Sequence, residues 1–180
     1  MILFESLIFN KDLNIGLLQI PKNASTSARI LKDYKGESWK QTSAAEVDSS
    51  AKIVIVLRDP ESRFKSAINM YFATQGNLFT MPTVFNNYLE TDQHFLPQTK
   101  FIGTILDKFS DIDYWQYNHS VLEDINDHYK LDITEILKAR CNTSEKIVTS
   151  INKTFIKKHY ADDIAIMNSV KFLNNEKNKK

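Results

Sequence analysis

The chain has 180 residues, of which 42% are hydrophobic and 25% charged, and its formal net charge at pH 7 is +1. This composition is typical of a globular domain with a substantial core. The near-neutral charge argues against partners attracted by a strong overall field, such as nucleic acid or an anionic membrane, so any anion site must be local. The single cysteine, Cys141, excludes an internal disulfide.

No apolar stretch approaches the ~20 residues that span a bilayer. The N-terminal residues show neither the basic region nor the cleavage pattern of a secretory signal. We therefore expect a soluble cytoplasmic protein without a transmembrane segment. One domain is expected over residues 1–173, followed by a polar tail over 174–180.

The first half of the chain alternates apolar strands with amphipathic helices. A buried strand is predicted over residues 14–20 and a helix over 25–34, because its apolar side chains recur at helical spacing. The polar stretch 36–51 is predicted to be a loop or a short helix. The β-branched run 52–57 predicts a central strand, and a second amphipathic helix is predicted over 60–73.

The second half of the chain is richer in predicted helices. Helical turns are predicted over residues 83–90, strands over 100–104 and 113–117, and a helix over 119–129. Residues 133–173 are predicted to be mostly helical. This order favours an α/β fold in which a central parallel sheet lies between helical layers. We therefore predict a three-layer, P-loop-like domain whose C-terminal third is helical.

Residues 21–27, Pro-Lys-Asn-Ala-Ser-Thr-Ser, connect the first predicted strand to the first predicted helix. Backbone N–H groups at a helix start are unpaired and favour an anion. Ser25 and Thr26 add hydroxyl donors there, and Lys22 adds a mobile positive charge. The segment predicts a phosphate-binding turn, although a simple helix cap beside a surface lysine is the alternative.

A nucleoside-triphosphate loop is the competing functional interpretation of this turn. Its pattern G-x-x-x-x-G-K-[ST] needs glycines, and none occurs between Gly16 and Gly36. A nucleotide or small-molecule kinase also needs a strand-end carboxylate for Mg²⁺. Asp59 is the candidate, but it better suits the N-cap of the helix that starts at Pro60. A divergent kinase is therefore kept as an alternative.

A second cation follows the predicted strand over residues 52–57. Arg58 lies at the carboxyl end of this strand, where ligands of open α/β sheets bind, and Ser66 follows it along the next helix. Helical spacing places Arg63 and Ser66 on one face with Asp59. This face predicts a second anion site. The alternative is that Asp59 caps the helix and forms a surface ion pair with Arg63.

The two motifs, in this order, resemble those of the sulfotransferase superfamily, which transfers a sulfuryl group from 3′-phosphoadenosine 5′-phosphosulfate (PAPS). The first resembles the family's 5′-phosphosulfate loop, and Arg-Asp-Pro-x-x-Arg-x-x-Ser resembles its 3′-phosphate site. The resemblance implies that PAPS is the co-substrate, that Arg58 and Ser66 bind its 3′-phosphate, and that Arg63 has a structural or supporting role. It also implies a 5′-phosphosulfate site formed by Lys22, Asn23, Ala24, Ser25, Thr26 and Ser27.

Residues 92–98, Asp-Gln-His-Phe-Leu-Pro-Gln, resemble a segment that follows the 3′-phosphate motif in the carbohydrate branch of that superfamily. Residues 160–164 resemble a late helix of the same branch. The resemblance covers mainly residues 14–105, and it departs from the family at Ala24, where glycine is frequent. It implies a carbohydrate hydroxyl or amine as the acceptor, without nucleic acid and without a metal.

Two residues are candidates for the general base, and Lys22 is the catalytic candidate for stabilising the leaving phosphate. Many family members place the base between the two motifs, where this chain has no histidine but has Asp33, Glu37, Glu46 and Asp48. We select Glu37 among these carboxylates. His94 is the other candidate, because an imidazole titrates near working pH.

Two further alternatives follow from the same residues. The missing histidine between the motifs leaves a non-catalytic nucleotide-binding module as an alternative function. Aromatic side chains also have two interpretations, since they either line an adenine or acceptor pocket or pack in the core. These aromatic residues are Phe95, Phe101, Trp115 and Tyr117.

Overall fold

Five strands form one mixed sheet within the residues that the computed structural model describes, which are 6–25, 38–75, 80–133 and 150–174. The strands are β1 (Ser6–Asn10), β2 (Ile15–Leu18), β3 (Trp39–Ser43), β4 (Lys52–Leu57) and β5 (Ile112–Gln116). They lie side by side in the order β3-β1-β2-β4-β5. Strands β2, β4 and β5 are parallel, whereas β1 is antiparallel to β2 and to β3. The expectation of a parallel sheet is thus correct only for β2-β4-β5.

Helices follow the parallel strands and dominate the C-terminal part. In the described ranges they are α1 (Pro60–Gln75), α2 (Met81–Thr83), α3 (Thr99–Lys108), α4 (Val121–Tyr129), α5 (Lys153–His159) and α6 (Ala161–Ser169). A π-helical turn over Val84–Tyr88 continues α2, and a 3-10 turn spans Ala44–Glu46. In this described part of the chain, no helix combines the length and apolar character needed to cross a membrane.

Both faces of β4 are buried, because its side chains beyond the first are all apolar. Ile53, Ile55 and Leu57 join one hydrophobic cluster with residues of α3. Val54 and Val56 join a second cluster with residues of α4. A strand covered on both faces forms a continuous apolar run, which is why the sequence predicted this strand correctly.

One predicted strand is wrong, because residues 100–104 belong to α3. Phe101, Ile102 and Ile105 are buried at helical spacing along this helix. Its first backbone N–H groups donate to the carboxylate of Asp163, a residue of α6 that is distant in sequence. A short apolar run does not by itself distinguish a strand from a helix. The residue that caps this helix, Asp163, is far away in the sequence, so the cap could not be recognised from the run itself.

Two strands, β1 and β3, have no counterpart among the predicted elements. β3 lies within the polar stretch 36–51, of which only the 3-10 turn matches the predicted short helix. Its residues Lys40 and Gln41 are exposed, so the strand has no alternating apolar pattern. Its backbone pairs with β1 from Ser6 to Asn10. The pairing partner, rather than local propensity, determines this edge strand.

The other predicted elements agree where they can be compared. The helices predicted over 60–73 and 119–129 correspond to α1 and α4, and α5 and α6 confirm helices in the C-terminal third. Of the helix predicted over 25–34, only Ser25 lies in the described part of the chain, and it has helical geometry. The expected polar tail begins at Asn174, which is instead buried and bonds to the backbone of β5.

Candidate anion site

The turn after β2 and the first residue after β4 lie side by side, because the two strands are parallel neighbours. The turn begins at Pro21, and Arg58 directly follows β4. The side-chain amide of Asn23 donates to the carbonyl of Val56 at 2.8 Å and fastens the turn to the end of β4. Asn23 is only 3% exposed, so this contact is part of the packed interior.

The backbone of the turn adopts an unusual geometry at two residues. Lys22 and Ala24 have φ angles of 68° and 63°, in the left-handed region that favours glycine. The N–H of Asn23 donates to the carbonyl of Ile20 at 3.1 Å, whereas the N–H groups of Lys22 and Ala24 have no acceptor among the described residues. Unpaired N–H groups in such a turn form a concave anion-binding surface. A glycine at position 24 would adopt this φ without strain.

Arg58 connects the two motifs directly. Its Nη1 donates to the carbonyl of Lys22 and its Nε donates to Oγ of Ser62, both at 3.0 Å. The guanidinium lies over the ring of Tyr117, 4.3 Å from the centroid. Within the described residues, Nη2 donates to no protein group. Arg58 is therefore held in one orientation while retaining N–H groups for an anion.

Arg63 is a structural clamp beneath the turn. Its side chain is 1% exposed, and it donates to the carbonyls of Pro21 (3.0 Å), Leu96 (2.7 Å) and Gln93 (3.2 Å). One guanidinium thus joins the first motif to the segment 92–98. The resemblance predicts a structural or supporting role for Arg63, and its bonds to three backbone carbonyls are structural.

Asp59 does not form the ion pair with Arg63 that the sequence left open. Its carboxylate accepts from the backbone N–H of Ser62 at 2.8 Å, at the start of α1. Arg63 has turned inward to the carbonyls instead. The capping alternative is therefore correct and the surface ion pair is wrong.

Three cations converge here with no carboxylate of the described residues in ion-pair contact with any of them. Burial, and then the nearby charges of Arg58 and Arg63, lower the pKa of the Lys22 ammonium. Burial likewise lowers the pKa values of Arg58 and Arg63. Cations that repel one another are stabilised by an anion, so the cluster is a candidate binding site.

Gln98 fixes the relative positions of three segments. Its Oε1 accepts from the backbone N–H of Arg58 at 2.9 Å and from the side-chain amide of Asn23. Its Nε2 donates to the carbonyl of Arg58 at 2.9 Å. The side chain is fully buried and thereby ties the turn, the end of β4 and the segment 92–98 together.

The late helix α6 supports this arrangement from behind. Asp163, which is 0% exposed, accepts from the backbone N–H groups of Gln98 (2.8 Å) and Thr99 (3.0 Å). The hydroxyl of Tyr160 donates to the carbonyl of Phe95 at 2.5 Å. Residues 160–164, singled out by the family resemblance, therefore contact residues 92–98 directly.

His94 is partly exposed and is held by a neighbouring carboxylate. Its Nδ1 lies 2.8 Å from Oδ1 of Asp92, which also accepts from the backbone N–H of His94 at 2.8 Å. The other oxygen of Asp92 accepts from the hydroxyl of Tyr71. His94 is thus oriented by a polar network on the segment that Arg63 ties to the turn.

The remaining candidates are placed as follows. Ser66 is partly exposed on α1, one helical turn beyond Ser62, and Ser25 is partly buried. Glu46 and Asp48 are exposed and bond near their own positions, to Thr42 and Ser50. The structure does not describe Thr26, Ser27, Asp33 and Glu37.

Of the four aromatic candidates, three belong to the core. Phe95, Phe101 and Trp115 are buried within hydrophobic clusters. Tyr117 is partly exposed and contacts Arg58. The core interpretation is correct for three of them, and Tyr117 lies at the anion site.

The sequence did not reveal the parts played by Gln98, Asp163, Tyr117 and Ser62. Three of these residues, Gln98, Asp163 and Ser62, lie in segments that carry the resemblance, but spacing along a chain does not show which group a side chain will bond. The available signal was a glutamine and an aspartate in segments with a recognisable pattern; their burial, which demands hydrogen-bond partners, is visible only in the structure.

The described residues contain no cluster of three or more histidine, cysteine or acidic side chains suited to a metal ion. No family model, curated protein or solved structure matches the chain significantly.

Proposed function

We propose that this protein is a PAPS-dependent sulfotransferase. We also propose that its domain is P-loop-like and has three layers, with the sheet between two layers of helices. In this proposal the donor's 5′-phosphosulfate binds at the turn of residues 21–27, and its 3′-phosphate binds Arg58 and Ser66. The acceptor is a hydroxyl or amine, most consistent with a carbohydrate. No metal takes part.

One observation carries the proposal. Lys22 and Arg58 meet at the carboxyl ends of two parallel strands, and neither is neutralised by a described carboxylate. The carboxyl edge of a parallel sheet is where ligands of α/β domains bind. Two cations, free backbone N–H groups and nearby serines suit a ligand with two separate phosphate groups better than a single small anion.

The chemistry needs charge stabilisation more than covalent participation. As the sulfuryl group leaves, negative charge grows on the 5′-phosphate oxygen, where Lys22 and the free N–H groups of the turn would lie. The pKa of Lys22, lowered by burial and by the two arginines, would rise as that charge develops. The kinase alternative is weaker, because its candidate carboxylate, Asp59, already caps α1.

Calorimetry with 3′-phosphoadenosine 5′-phosphate, AMP and ATP, without added metal, tests the proposal. We expect the bisphosphate to bind more tightly than AMP or ATP. A charge-assisted hydrogen bond contributes ~1.5–3 kcal/mol, so Arg58→Ala should weaken bisphosphate binding tenfold or more and AMP binding less, the latter only through the lost bond to the carbonyl of Lys22. Ser66→Ala should lower the same preference by a smaller factor, without removing a bond that holds the turn.

Lys65→Ala is the matched control, because Lys65 lies on the same helix but is already paired with Glu61 at 2.6 Å. It should leave both affinities unchanged. Equal losses for bisphosphate and AMP in Arg58→Ala, or no preference for the bisphosphate in the unmodified protein, would contradict the assignment.

A further inference from the structure

Asp92 connects a tyrosine of α1 to the imidazole of His94. Oδ1 of Asp92 lies 2.8 Å from both the backbone nitrogen and Nδ1 of His94. The hydroxyl of Tyr71 donates to Oδ2. Every bond to this carboxylate therefore has Asp92 as the acceptor.

These contacts determine which nitrogen of His94 carries a proton. Although burial alone would raise the pKa of Asp92, hydrogen bonds from His94 and Tyr71 hold that pKa below its ordinary value. An ionised carboxylate has no proton to donate, so Nδ1 must be the donor. In the neutral ring Nε2 is then a free acceptor, and no described residue bonds to it. The side chain is 24% exposed, so Nε2 can be reached from solvent.

Aromatic rings hold the network in place. The ring of Tyr71 stacks on Tyr88 and Phe95, with centroids 5.5 Å and 5.6 Å away, and meets the imidazole of His94 edge-on at 5.9 Å. Phe95 is buried. Among the described residues, the titratable groups in contact with the imidazole are thus Asp92 and Tyr71, and Tyr88 stacks on Tyr71.

The backbone that carries His94 is fastened beside the anion turn. The carbonyl of Gln93 and the carbonyl of Pro21 share the guanidinium of Arg63, at 3.2 Å and 3.0 Å. His94 directly follows Gln93, and Lys22 directly follows Pro21. The segment that carries His94 is therefore joined through Arg63 to the turn where the transferring group is expected.

We propose that Asp92 is a positioning residue that keeps His94 in the Nδ1–H tautomer, with Nε2 as the base for the acceptor, and that Tyr71 orients Asp92. This inference rests on the proposed sulfotransferase function and deepens it. As the acceptor oxygen bonds to sulfur, Nε2 takes its proton, and the bond from sulfur to the bridging oxygen breaks. The electron pair leaves on the 5′-phosphate of the nucleotide, and Asp92 stabilises the imidazolium that forms.

The experiment compares Asp92→Asn with Asp113→Asn. Asp113 is a close match, because its carboxylate also accepts from a tyrosine, Tyr129, and it lies at the opposite end of the sheet. The first readout is the tautomer of His94 in the full chain, from ¹⁵N NMR of labelled histidine, with His94→Gln to assign the signal. The second is release of 3′-phosphoadenosine 5′-phosphate from PAPS with water as the acceptor, beside calorimetric binding of that product.

We expect the Nδ1–H tautomer in the unmodified protein and its loss in Asp92→Asn. Turnover should fall by about tenfold or more, within the range of general-base catalysis, while product affinity is unchanged. Tyr71→Phe should lower turnover by a smaller factor and keep the tautomer. Asp113→Asn should change neither readout.

An Nε2–H tautomer in the unmodified protein, or an unchanged tautomer in Asp92→Asn, overturns the inference. Equal losses of turnover in Asp92→Asn and Asp113→Asn also overturn it, because they indicate a merely structural role. If the unmodified protein fails to bind 3′-phosphoadenosine 5′-phosphate, the proposed function fails, and the tautomer measurement still decides whether Asp92 positions His94.

Discussion

The lysines at the two ends of the parallel strands have opposite electrostatic surroundings. At the amino end, Lys52 forms ion pairs with Asp111 and with Asp113, the latter at 3.1 Å. At the carboxyl end, Lys22 has no described carboxylate partner and faces the charges of Arg58 and Arg63. The same sheet thus carries a neutralised cation at one end and an unneutralised cluster at the other.

The direction of the pKa shifts shows the same contrast. Burial lowers the pKa of Lys52, but hydrogen bonds to Asp111 and Asp113 outweigh it and raise the pKa overall. For Lys22, burial and the two arginines all act to lower it. A paired lysine is explained by structure alone, whereas a lysine kept among like charges is a candidate for binding an anion.

The largest expected difference concerns stability. Arg63→Met removes the donor from three backbone carbonyls, each of which costs ~1–3 kcal/mol when buried without a partner. We expect a loss of about 3–5 kcal/mol in the free energy of unfolding. Lys52→Met breaks only solvent-accessible ion pairs and should lower it by about 1 kcal/mol or less. Urea denaturation measures both, and equal losses would contradict the structural distinction between the two ends.

The second difference concerns catalysis. Lys22→Ala keeps a Cβ at the same positive φ, so the turn itself should be preserved. If Lys22 neutralises charge that grows on the leaving oxygen, turnover of PAPS should fall by about 10²-fold, with a smaller change in product affinity. Lys52→Ala is the control and should keep normal turnover. A Lys22→Ala protein with normal turnover and only a raised KM for PAPS would exclude the role.

The smallest difference should appear at alkaline pH. At pH values between the lowered pKa of Lys22 in the folded protein and its ordinary value of 10.5, Lys22 binds more protons in the unfolded chain than in the folded protein. In this range Lys22 therefore makes the free energy of unfolding rise with pH. For Lys52 the folded protein binds more protons above 10.5, so its contribution falls as pH rises. Lys22→Met should reduce the rise of the unfolding free energy with pH, and Lys52→Met should reduce its fall. Each change should be less than about 1 kcal/mol. Unfolding free energies from pH 8 to 11.5 measure this, and slopes of the same sign for both residues would refute the contrast.

The sequence predicted the elements whose pattern is local. β4 is a continuous apolar run and α1 has a stripe of buried residues after an aspartate cap, so both were found. β3 has exposed polar side chains and depends on pairing with β1. The start of α3 depends on Asp163. Neither dependence can be read from a short window of sequence, and both led to errors.

In the candidate site, too, residues in local patterns were predicted, whereas residues that depend on long-range contacts were not. Lys22 and Arg58 were identified from strand-turn-helix patterns, and the structure brings them together through the carbonyl of Lys22. The sequence could not show that Gln98 would bond to both backbone groups of Arg58, because only the fold places these residues side by side. The roles of the site residues in binding and catalysis stay predictions.

The carboxylate of Asp163 also has a consequence for protein synthesis. The ribosome makes a chain from its N-terminus, so Lys22, Arg58 and Gln98 are all synthesised long before residue 163. Until then, the backbone N–H groups of Gln98 and Thr99 lack the acceptor that they have in the finished fold. The segment carrying the recognisable motifs therefore depends on α6, and the support of its anion site becomes complete only after residue 163 has been synthesised.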